Sequence, residues 1–149
     1  MIPERYGPPT HALMRMAFAL IFLNYGLQKF GLFGGIDGQG GTAPFLSWPF
    51  GVAGVIETVA GTLILIGLWT RPAAFVASGE MAVAYFLVHQ FHGIAIGQPV
   101  GPTPVQNGGQ AAVLLCFGFL YLAARGAGIW SVDATRRAPG PAPAASRQA

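Results

Sequence analysis

Four apolar stretches, separated by joints of glycine, proline and arginine, set the rhythm of the chain. They cover about residues 12–33, 51–69, 72–92 and 110–125. The first is long enough to cross a hydrocarbon core of about 30 Å at 1.5 Å per residue. Residues 34–49 are a glycine-rich loop with Asp37 as its only charge, and its end, with Phe45, Trp48 and Phe50, reads as an interfacial anchor. Arg71-Pro72 closes the second stretch and opens the third, with proline in the tolerated first turn of a helix, so these two form a tight hairpin. Residues 93–109 contain Pro99, Pro102 and Pro104 and cannot continue a helix. The pattern predicts an all-α membrane protein, a bundle of four transmembrane helices spanning residues 1–133. Residues 134–149, rich in Ala, Pro and Arg, are expected to form a disordered cytoplasmic tail.

Composition strengthens this reading. Hydrophobic residues make up 53% of the sequence and charged residues only 9%, where soluble domains carry about 25%. So few charges cannot cover a water-soluble surface, and the mean hydropathy of +0.54 agrees. The net charge of +3 comes from scattered arginines and not from a stripe that would hold nucleic acid. Arg5, Arg15, Arg71, Arg125, Arg136, Arg137 and Arg147 fall on the side of the termini, and Lys29 falls opposite. The positive-inside rule therefore predicts that both termini are cytoplasmic. Cys116 is the only cysteine, which excludes an internal disulfide, a CxxC pair or a cysteine-built metal site. The first ten residues lack the pattern of a cleavable signal, so the first helix is expected to be retained.

Ionisable residues inside the apolar stretches are the candidate chemistry. A charge at the centre of a lone spanning helix costs roughly 2.5–3.5 kcal/mol, so Glu57 and Glu80 must turn inward, pair or protonate. Gly54 and Gly61 share the face of Glu57 at 100° per residue, which places Glu57 inside the bundle with Lys29, Tyr25 or Asn24 as partners. A purely structural ion pair, or a protonated packing carboxyl, is the competing reading. Glu80 lies nearer Arg15 and Arg125, and a buried cluster of the three is expected. Tyr85, His89 and His92 share another face, about 180° from Glu80. That face looks toward Lys29, Gln28 and Gln110. His89 and His92 could share a metal, but no third ligand of fixed spacing follows, so no metal site is expected. On the last helix Gln110, Gly118, Tyr121 and Arg125 cluster on a face that reads as packing. The loop Gly34-Gly35-Ile36-Asp37-Gly38 is not followed by Gly-Lys-Ser/Thr and does not read as a phosphate loop.

Several ordered motifs resemble the DoxX family of small bacterial membrane proteins. They are Asn24-Tyr25-Gly26-Leu27-Gln28-Lys29-Phe30-Gly31, Glu57, Gly67-Leu68-Trp69-Thr70-Arg71-Pro72, Gly79-Glu80-Met81-Ala82-Val83-Ala84-Tyr85-Phe86 with His89, Asn107-Gly108-Gly109-Gln110, and Gly126-Ala127-Gly128-Ile129-Trp130-Ser131-Val132-Asp133. The resemblance implies a four-helix bundle in the bacterial inner membrane and a role beside redox enzymes, as an accessory or anchoring subunit. It also departs at two places, with Tyr25 and Gln110 standing where the family often has histidine and glutamate. The expectation is a quinone-like ligand held between helices by Glu57, Lys29, Tyr85 and His89, with partner enzymes supplying electrons because the chain shows no flavin, haem or iron–sulfur motif. A small solute or proton transporter working through Glu57 and Glu80, and a ligand-free scaffold, are the rival readings.

Overall fold

The computed structural model describes residues 3–91 and 101–136 of the 149-residue chain, with the side chain of residue 91 excepted. Four long helical segments are present among them. Helix α1 is Gly7–Lys29, α2 is Phe50–Ile66, α3 is Thr70–Ala84 and continues into a π-helical segment Tyr85–Phe91, α4 is Gln110–Arg125, and a short α5, Val132–Arg136, follows. Helix α1 starts earlier than its apolar pattern does, because Pro8 and Pro9 sit in the first turn, where no backbone N–H is needed. Helix α2 stops at Ile66 because Gly67 takes a left-handed conformation. The amide of Gly67 donates to the Ile64 carbonyl and that of Leu68 to the Leu63 carbonyl.

The packing is inside-out relative to a soluble bundle. The buried core is rich in alanine, with Ala12, Ala19, Ala60, Ala73, Ala74, Ala77 and Ala112 around a few large groups such as Phe22, Ile64 and Phe119. The Phe22 and Phe119 rings meet edge-on at 4.8 Å and join α1 to α4. Large apolar side chains point outward instead, among them Leu13 and Leu20 on α1, Phe75 (67% exposed) on α3, and Leu114 and Phe117 on α4. Small residues inside let helices approach closely, which is how helices associate when the surrounding solvent is as apolar as leucine. Helices α1 and α2 approach closely along one such seam. A Cβ on Gly26 would lie 2.6 Å from Thr58 Oγ1 and 2.7 Å from its backbone N, so that position requires glycine's missing side chain, and one on Gly61 would lie a tight 3.1 Å from the Leu23 Cα.

The helices at the four apolar stretches are more uneven than the hydropathy pattern suggests. Among the described residues, Thr70–Gln90 is the helix both long and apolar enough to cross a membrane, whereas Phe50–Ile66 and Gln110–Arg125 are apolar but shorter. The sequence stretch 51–69 had included the turn at Gly67, which is not helical, so α2 rises only about 25 Å. Of the predicted tail, residues 134–136 belong to α5, and the remainder, with Arg137 and Arg147, lies outside the described residues.

Candidate functional site

Buried charges sit at both ends of the bundle. At the end where the described chain begins and finishes, Arg15 is fully buried, and its guanidinium donates to three backbone carbonyls: Nη1 to Ile64 at 2.7 Å and Leu65 at 2.8 Å, and Nη2 to Trp130 at 2.7 Å. These are the last carbonyls of α2 and one from the strap after α4. Asp133 completes the lock, accepting from the amides of Trp69 and Thr70 at 2.9 Å each, while its own amide donates to the Gly67 carbonyl at 2.8 Å. Burial pushes the Asp133 carboxyl up, but the Thr70 and Trp69 amides outweigh it and hold the group below its ordinary range. His11 Nε2 donates to the Gly126 carbonyl at 2.9 Å and pins the same strap to α1.

The expected cluster of Glu80 with Arg15 and Arg125 does not form. Carbonyls exposed at the end of α2 take the Arg15 donors, Arg125 is exposed on the outer face of α4, and Glu80 faces the other end of the bundle. Backbone acceptors satisfy a guanidinium as well as a carboxylate does, and they leave no trace in a search for opposite charges.

At that other end, Lys29 Nζ donates to both carboxylate oxygens of Glu57, at 2.9 and 2.7 Å. Of the three α1 partners expected for Glu57, Lys29 is therefore the one engaged. The Glu57 side chain is only 3% exposed and that of Lys29 15%, so the pair is shielded on most sides. It forms part of the wall of a cavity of about 450 Å³. Tyr25, Glu80 and His89 line the same cavity, together with an apolar surround that includes Trp48, Phe50, Ile56 and Leu87. Glu80 Oε2 is buried there without a hydrogen-bond partner.

Glu80 and His89 share one cavity although an α-helix would set them on opposite sides. The π segment accounts for the difference. From Tyr85 onward the wider i→i+5 turn advances by roughly 80–85° per residue, so His89 lags by close to a quarter turn and swings toward Glu80. A π segment carries no compositional mark that would have revealed this in the sequence. His89 Nδ1 contacts the Asn107 carbonyl at 3.1 Å. A carbonyl can only accept, so Nδ1 carries the proton and Nε2 of the neutral ring remains an acceptor.

The remaining candidates divide. Tyr85 does not line the cavity; its hydroxyl donates to Gln90 Oε1 at 3.0 Å, which also accepts from Asn107 Nδ2 at 3.2 Å. This bridge ties the π segment to the loop before α4, whose Asn107 carbonyl also holds His89. Gln110 is exposed at the start of α4 and does not line the cavity, although Gly108, Ala111 and Ala112 on either side of it do, and His92 lies outside the described residues. No three of His, Cys, Asp and Glu come together as a metal site among the described residues. Asn107 and Gln90 are the positions missed as site residues. Asn107 is fully buried, and its Oδ1 also accepts the Gly109 amide at 2.9 Å.

Comparison with known proteins adds lineage to this geometry. The DoxX sequence profile matches residues 11–90, which cover most of α1, all of α2 and α3, and most of the π segment. A Haemophilus influenzae protein described as uncharacterized is 39% identical over 130 residues, covering 87% of this chain and 92% of that protein. An uncharacterized membrane protein of Mycobacterium tuberculosis is 31% identical over 137 residues, covering 85% of this chain and 81% of its own. No solved structure matches the chain.

Proposed function

The chain belongs to the DoxX family of membrane proteins, and from that premise we propose that it is a quinone-binding accessory subunit of a membrane redox system, crossing the bacterial inner membrane four times with both termini cytoplasmic. The observation that carries this reading is the cavity of about 450 Å³ in which Lys29, Glu57, Glu80 and His89 share one apolar-walled space. A quinone ring presents carbonyl acceptors when oxidised and hydroxyl donors when reduced. Lys29 uses two of its three ammonium hydrogens on Glu57 and has one left for a carbonyl, while His89 Nε2 and the unpartnered Glu80 oxygen can accept from a hydroxyl. A polyprenyl tail would lie against the exposed apolar outer faces of the helices. Those faces, with Trp48 (71% exposed) at one end and Trp69 and Trp130 at the other, support a bilayer placement bounded by aromatic belts. Arginines gathered at the end of the termini support the cytoplasmic orientation.

The test is purification in mild detergent, followed by mass spectrometry of extracted small molecules and of crosslinked partners. A stoichiometric quinone, lost in Glu80→Gln or His89→Ala protein, is the expected result. Absence of both quinone and a redox partner would sink the reading. Transport of protons or solutes is a second reading, favoured by one observation: Glu80 Oε2 is buried beside the Lys29–Glu57 pair with no partner. Uptake by proteoliposomes that disappears in Glu57→Gln protein would establish it.

A further inference from the structure

A second concavity, of about 710 Å³, lies at the opposite end of the bundle and differs from the first in chemistry. Arg71 from the start of α3 and Arg125 from the end of α4 line it, with His11, Tyr121, Glu4 and Asp133. Arg71 reaches the end of α4, where its Nε would stand 3.3 Å from a Cβ placed on Gly126, the residue after Arg125, and both arginines line the one groove. Both arginines are exposed, and among the described residues neither has a hydrogen bond or an ion pair, the salt bridge found being that of Lys29 with Glu57. The acidic lining offsets them only in part. Asp133 is committed to the Trp69 and Thr70 amides and also faces Arg15 and Arg136, which leaves Glu4 as the one uncommitted carboxylate of the groove. His11 is engaged with the Gly126 carbonyl and with the Tyr121 ring.

We propose that this groove binds the phosphodiester headgroup of an anionic phospholipid, with Arg71 and Arg125 as its two anchors. Paired guanidinium forks fit phosphate oxygens in a way that isolated lysines do not. Basic pockets between helices at a cytoplasmic boundary suit anionic headgroups for this reason. The groove also has a path for an acyl chain. At 100° per residue Leu114, Phe117, Tyr121 and Arg125 fall on one face of α4, so an exposed apolar strip leads away from the arginine toward the bilayer centre. Exposed Trp69 and Trp130 flank this end, which places the groove at headgroup level. The site shares only the membrane placement with the proposed function and is independent of any ligand in the other cavity.

Native mass spectrometry of the detergent-purified full chain, titrated with phosphatidylglycerol, phosphatidylcholine or inorganic phosphate, tests the assignment. Phosphatidylglycerol is expected to bind at least about tenfold more tightly than phosphatidylcholine and to raise the melting temperature, with the preference weakening as salt rises. Arg71→Gln/Arg125→Gln protein should lose that preference, and Arg71→Lys/Arg125→Lys protein should keep part of it. Equal retention of both lipids by the unaltered chain would overturn the assignment without any variant having to fold. Displacement of phosphatidylglycerol by millimolar inorganic phosphate would reassign the groove to a free ion and equally overturn it. Protein that stays dispersed without detergent would instead refute the membrane placement itself, which separates the two failures.

Discussion

The two ends of the bundle each bury a cation, yet they use it in different ways. Arg15 directs its two terminal nitrogens to three main-chain carbonyls, two at the end of α2 and one on the strap after α4, and leaves only Nε without a partner. Lys29 meets a single carboxylate, and beside that pair stand a carboxyl oxygen without a partner and a cavity. The contrast teaches that burial of a charge does not by itself mark a site. Backbone partners indicate a lock, whereas titratable partners around open space indicate chemistry.

Substitutions can break or sharpen this contrast. The largest effect is expected for Arg15→Leu, which orphans three carbonyls and should cost on the order of 5 kcal/mol, enough to remove most folded protein in a detergent melting assay. Glu57→Gln leaves Lys29 as an unpaired buried charge and should cost about 3 kcal/mol, and the double variant Lys29→Met/Glu57→Gln should recover most of it. If the double variant melts no higher than the single one, the pair is not an isolated unit. Asp133→Asn weakens the cap on α3 and should cost about 1 kcal/mol near neutral pH. Because the folded Asp133 carboxyl lies below its ordinary value, its contribution is present above about pH 4 and fades as pH falls through the lowered value. The Asn variant should therefore show a shallower acid loss of stability than the unaltered chain. Glu80→Gln should move the melting temperature least, by less than about 1 kcal/mol equivalent, since no bond to Oε2 is lost. It should nevertheless reduce ligand retention roughly tenfold; a variant that kept its ligand would show Glu80 to be a bystander.

The α1–α2 contact and its ion pair were legible in the sequence. The glycines at 54 and 61 mark where α2 meets α1, and Lys29 with Glu57 follows from opposite charges at matching depth. The placement of Glu80 was not, for two physical reasons. Arg15 is satisfied by main-chain oxygens that every residue possesses, so the side-chain alphabet suggested a false partner. A uniform 100° rotation also fails across Tyr85–Phe91, where the wider turn changes which residues face one another. Helix ends followed the same logic: Gly67 and the prolines at 8 and 9 moved boundaries that hydropathy alone had placed elsewhere.

The placement of the tryptophans carries a practical consequence. Trp48 stands beside the cavity, and Trp69 and Trp130 stand at the opposite pole, with none between them. The chain thus contains two sets of native fluorophores separated along its long axis. An occupant of the cavity would perturb the emission of one set alone, and a quencher confined to one leaflet would report which pole faces it.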